Sequence, residues 1–208
     1  MGASSTKLRT ISKGKTMTEN IKKPSRSERF VQYVCDLCRS DSTASAALRR
    51  SDRPALEYQS WGILINFGVD LDKPWERAAF TTIGAAVAQE GAEKNGTVAI
   101  MRALAQVYEK NLPPAERRLR RLLACQSTQE CCQVLHPLFK LLRSKSSMSI
   151  DYARLLDELL RFHSNSEQVR IRWATDFYPK ENKVELGRGR GISNLDKKAR
   201  ITRPAPLI

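Results

Sequence analysis

Between residues 27 and 178 the apolar side chains recur every three or four positions, and no stretch alternates apolar with polar for the length of a strand. That spacing puts apolar groups on one side of an α-helix, where side chains advance by about 100° per residue. β-Branched residues are sparse in the same region, so the chain is confined to packing helix on helix. The expected fold is all-α: a helical bundle of eight to ten helices in two small lobes, with disordered basic tails.

Local signals set the expected boundaries. Ser27 can cap a helix over 28–39, with Phe30, Val31, Val34 and Leu37 on one face. A short helix follows over 43–50, and Pro54 suits the first turn of a third over 54–66 that contains Trp61. Asp72 caps a long helix over 73–90, with Pro74 in its first turn. Gly91 and the EKNG segment at 93–96 interrupt the chain, and Thr97 begins a helix to 109. Pro113 and Pro114 divide an N-terminal helical lobe, 27–110, from a C-terminal one, 111–178. The second lobe is expected to hold helices over 113–124, from Ser127 or Thr128 to 143, over 150–163, and from Ser164 or Ser166 to 178. Pro137 should kink or divide the second of these.

Charge bears on partners. The chain carries 36 Lys and Arg against 22 Asp and Glu, a net charge of +14, and a balance of that sign suits a polyanion. Its distribution is uneven: residues 1–26 are net +6, residues 179–208 net +5, and the helical middle only +3. Residues 1–25 and 179–208 are polar, and the latter contain GRGRG at 187–191, so both read as disordered tails unable to bury enough surface to order themselves. Met17 opens a second candidate start. No run of about 18 apolar residues predicts a membrane span, and no apolar segment follows the N-terminal cations as in a secretory signal. Five cysteines, an odd number, read as reduced thiols and a cytoplasmic location.

In a nearly neutral middle, binding of a polyanion depends on local concentration. PPAERRLRRLLAC, 113–125, supplies it: Arg117, Arg118, Arg120 and Arg121 cover about 160° of a helix whose other side carries Leu119, Leu122 and Leu123. Solvated faces usually mix signs, since like charges at i,i+4 cost stability, and four arginines without a lysine fit phosphate recognition by a planar fork. ALRRSDRPAL, 47–56, is a second group, in which Asp52 can orient one of Arg49, Arg50 and Arg53 and leaves two free. The loop also precedes a helix N-terminus, which favours anions. In QVRIRWATDFY, 168–178, Val169, Trp173 and Phe177 form a core stripe with Arg170 at its edge, placed to reach the surface or to pair with Asp176.

Enzyme signatures are lacking. Cys35 and Cys38 form one CxxC, but four zinc ligands would have to include the adjacent Cys131 and Cys132 or His136, so buried structural thiols are expected and no metal or other cofactor. Neither His136 nor His163 has a nucleophile partner, and no phosphate-binding loop or carboxylate cluster occurs. The chain therefore reads as a binding protein and not an enzyme.

LRR at 48–50, the helix with Trp61, MRAL at 101–104, ERRLRRLL at 116–123 and RIRWATDFY at 170–178 occur in an order that resembles the small subunit of the type I-E CRISPR Cascade complex, the CasB family. The resemblance covers about residues 44–178. It implies an all-helical, non-catalytic subunit of a crRNA-guided antiviral complex, present in two copies beside the backbone and large subunits. Its implied partners are crRNA and target and non-target DNA, and its implied task is to stabilise the R-loop and the displaced strand. By resemblance, nucleic-acid contacts fall to Arg49, Arg50, Arg102 and the 117–121 group, with Lys94 and Arg170 as further transfers. The alternative is a free-standing helical nucleic-acid-binding regulator. A helix-turn-helix would open its reading helix with polar base-reading residues, whereas the arginine helix opens Pro-Pro-Ala-Glu.

Overall fold

The computed structural model describes residues 23–109 and 111–178. The expected tails, residues 1–25 and 179–208, lie outside these residues except for 23–25. The described chain is helical: α1 (Arg26–Ser40), α2 (Ser42–Arg50), a 3-10 segment (Pro54–Ser60), α3 (Trp61–Phe67), α4 (Pro74–Glu90), α5 (Ile100–Val107), α6 (Leu112–Leu123), α7 (Thr128–Lys145) and α8 (Tyr152–Phe177). The all-α expectation holds. Among the described residues no helix is long and apolar enough to cross a membrane.

α4 is the axis of the molecule. Residues 79–88 are buried on every side, as expected of a helix apolar all round. It packs against α1, α2, α7 and α8, so one apolar cluster runs from Phe30 to Phe177 and draws on residues from both sides of position 110. Gly84 permits the approach of α2 and α1: a Cβ there would sit 3.3 Å from Leu48 Cδ2 and 3.4 Å from Phe30.

Several boundaries differ from expectation for identifiable reasons. The cap of α1 is Ser25, in a capping box. Its hydroxyl accepts from the Glu28 N–H at 3.1 Å, while its own N–H donates to the Glu28 carboxylate at 2.6 Å. Ser27 is instead buried and donates to Asp157 Oδ1 at 2.6 Å. Asp72 does not cap α4, whose N-cap is Lys73, although Pro74 does occupy the first turn. The expected 54–66 helix is a 3-10 segment followed by α3, which ends at Gly68 with φ 88°.

Residues 96–98 are not helical. They run beside 149–151: Gly96 N–H donates to Ile150 O at 3.0 Å, Val98 N–H to Ser149 O at 3.1 Å and Asp151 N–H to Val98 O at 2.9 Å. A Cβ at Gly96 would lie 2.2 Å from the Ser149 carbonyl, so only glycine allows this approach. α7 continues through Pro137 without division. The two expected C-terminal helices form α8, interrupted at Asn165 (φ −146°, ψ 63°), whose side-chain oxygen accepts from the Gln168 N–H at 3.3 Å.

Candidate nucleic-acid interface

α6 divides as its sequence dictates. Ala115, Leu119 and Leu122 are buried, and Arg117, Arg118, Arg120 and Arg121 all reach the surface. Arg120 pairs with Glu116 one turn back at 3.0 Å, a contact of small energetic value at an exposed site. Arg118 donates to the Pro114 carbonyl at 2.9 Å and lies 5.3 Å from the centre of the Tyr108 ring, which Lys145 approaches to 5.0 Å. Among the described residues, no carboxylate pairs with Arg117 or Arg121.

The second arginine group stands at the α2 C-terminus and the loop beyond it, with Arg49, Arg50 and Arg53 exposed. Asp52 does not orient them. Arg49 Nε donates instead to the Ala88 carbonyl at 2.9 Å, at the C-terminal end of α4, where carbonyls lack helical partners and carry partial negative charge. No carboxylate pairs with Arg50 or Arg53 among the described residues.

α7 runs between the surroundings of the two groups. Gln133 and His136 border a cavity with Ser51, Asp52 and Pro54, next to the second group. Val134, Pro137 and Leu138 border a groove with Arg117, Arg118 and Arg121. At 100° per residue these two sides of α7 lie roughly 140° apart. Between them, Gln133, Pro137, Lys140 and Ser144 form a strip that is open to solvent. Arg143 joins the same face: it donates to Gln89 at 2.9 Å, and Gln89 donates to the Arg49 carbonyl at 2.9 Å. Lys140, Arg143 and Lys145 are cations absent from the residues expected to bind. Their signal in the sequence is the KLLRSK run, which also fits the end of an apolar helix.

Arg102, on α5, and Lys94, in the turn after α4, are exposed. No hydrogen bond or ion pair joins either to the two arginine groups among the described residues. Arg170 is turned inward. Its Nη2 donates to the Cys125 carbonyl at 2.6 Å, its guanidinium lies 5.2 Å from the Phe162 ring centre, and its Nε is buried without a partner. Arg170 takes neither of the two expected courses, to the surface or to Asp176, and Asp176 is bound by Arg154.

Titratable groups follow burial. Desolvation pushes the Cys35 thiol up to about 11 and Cys132 up to about 12. Burial also lowers the pKa of His136, with the Asp52 carboxylate opposing it. Among the described residues no three His, Cys, Asp or Glu side chains converge as metal ligands would.

The family model for the CRISPR-associated protein Cse2 matches residues 44–178. The chain belongs to the Cse2 family. The matched span takes in both arginine groups and all of α3–α8. No curated protein sequence matches the chain. Among solved structures, this Cse2-family chain is similar to a Cse2-family CRISPR-associated protein from Thermus thermophilus, at 27% identity and a TM-score of 0.59, over 74% of this chain and 99% of that one. A structure described as CasB, also from Thermus thermophilus, is 29% identical, with a TM-score of 0.59 over 74% and 99%. A chain of a CRISPR RNA-guided surveillance complex is 26% identical, with a TM-score of 0.56 over 74% and 91%.

Proposed function

We propose that the chain is the non-catalytic small subunit of a crRNA-guided CRISPR surveillance complex, and that its α7 face holds the sugar-phosphate backbone of DNA unwound in the R-loop, above all the displaced non-target strand. The observation that carries this reading is that Arg50, Arg53, Arg117 and Arg121 of a Cse2-family chain are exposed without carboxylate partners among the described residues, with Arg117 and Arg121 in a groove against α7 and the loop that holds Arg53 beside the cavity on its other flank. Similarity to a chain of an RNA-guided surveillance complex supports the assembly.

Exchange of a DNA duplex for an RNA–DNA heteroduplex is nearly balanced in free energy, so modest contacts tip it. Guide pairing supplies the sequence information, so the subunit's contacts must ignore sequence, as guanidiniums on phosphates do. Arg49, Arg118 and Arg120, which also bind within the fold, extend the same surface. Lys94 and Arg102 are outlying contacts of the same kind. Arg170 enters as a positioning residue that ties α8 to the end of α6. Two copies per complex would lengthen the track along the backbone subunits.

The test is reconstitution of the complex with the wild-type chain or with R50A/R53A/R117A/R121A, followed by the lifetime of the R-loop on a matched target. The variant should assemble and shorten that lifetime by about tenfold or more. An unchanged lifetime contradicts the role, and a wild-type chain that fails to join the complex favours a free-standing nucleic-acid-binding regulator.

A further inference from the structure

The groove between α6 and α7 contains more than a phosphate needs. It has a volume of about 330 Å³ and is lined by Arg117, Arg118 and Arg121 together with Pro114, Val134, Pro137 and Leu138. Among the described residues no carboxylate lines it, and the four apolar side chains offer neither donor nor acceptor. Pro137 stands within α7 on this wall and contributes a rigid ring without an N–H of its own. A phosphate bound to the arginines would leave this apolar surface in water. The complementary ligand is anionic on one side and flat and poorly hydrated on the other.

We propose that this groove seats one unpaired nucleobase of a single strand, its face on Val134 and Pro137 and its flanking phosphates on Arg117 and Arg121. The proposal rests on the nucleic-acid-binding reading above and deepens it. A duplex can offer the arginines its phosphates, but its bases stay stacked inside, so only an unpaired strand uses both halves of the groove. A base-facing wall of Val134 and Pro137, whose side chains have no hydrogen-bonding groups, accepts every base, as a guide-directed complex requires. The planar guanidiniums can cover the base from the rim, since arginine stacks on flat rings. The site therefore distinguishes single strand from duplex without reading sequence.

The experiment compares binding of the full chain, at fixed salt, to a short oligothymidylate and to a strand of equal length and charge built of abasic residues. The wild-type chain should prefer the base-bearing strand by roughly fivefold, the low end of what one stacked base contributes. V134S/P137S, which keeps every arginine, should bring the ratio to about one and leave the salt dependence unchanged. Equal binding of both strands by the wild-type chain overturns the base seat while the phosphate reading stands. A preference that survives in V134S/P137S overturns its placement in this groove. Failure to bind either strand overturns both readings, and none of the wild-type outcomes depends on the variant's folding.

Discussion

α6 and the second half of α8 both carry arginines close together, and the fold uses them in opposite ways. On α6 the four arginines are exposed, and of them only Arg120 pairs with the neighbouring acid, Glu116. Around α8, Glu158 is buried and accepts from Trp173 Nε1 at 2.8 Å and from Arg154 Nε at 3.0 Å, with Arg172 at 3.9 Å, while Asp176 takes the other side of Arg154. Arg170 adds its bond to the Cys125 carbonyl. The cationic residue type alone does not decide between binding and structure. A buried acceptor within reach does, because an unpaired buried charge is costly and draws any available partner.

The sharpest break of this comparison is Glu158→Ala. It leaves the Trp173 N–H and one side of Arg154 without their buried acceptor, so it should lower the unfolding free energy by about 3 kcal/mol, read by denaturant melts. A reduction below ~1 kcal/mol would place the α8 arginines with the solvated ones. Arg170→Ala comes next, with an expected reduction of about 1–2 kcal/mol from the carbonyl bond and the packing on Phe162. The folded fraction should keep the wild-type salt dependence of nucleic-acid binding. If stability is unchanged and binding falls, Arg170 belongs with α6.

The same contrast explains which features are legible in the sequence. The amphipathic division of α6 is readable because Leu119 and Leu122 and the intervening arginines repeat within one helix, and local periodicity records which side is buried. Nearby serines signal the interruption of α8 at Asn165, and Pro74 correctly marks the start of α4. The partners are not readable. Ser27 meets Asp157 across 130 residues, Arg170 meets Cys125 across 45, and Trp173 meets Glu158 across the α8 interruption. Such pairs leave no periodic trace. For that reason the sequence suggests Ser27 as a cap, Asp176 as one of two destinations for Arg170 and Asp52 as the group that orients one of Arg49, Arg50 and Arg53, and the fold assigns each differently. The placement of α7 between the surroundings of two separated arginine groups is hidden in the same way. Arg53 and Arg117 are 64 positions apart in the chain, and the link between their surroundings is tertiary: α4 packs against both α2 and α7, and α7 packs against α6.

The most direct test is the salt dependence of single-stranded DNA binding by the wild-type chain and by R117A/R121A, with circular dichroism to verify that the variant is folded. These two arginines have no carboxylate partner among the described residues, so their removal should leave stability within ~0.5 kcal/mol. It should also flatten the slope of log K against log salt by about 1.4 units, roughly 0.7 for each phosphate no longer bound. A folded variant with the wild-type slope would contradict the assignment of this helix to the nucleic-acid backbone.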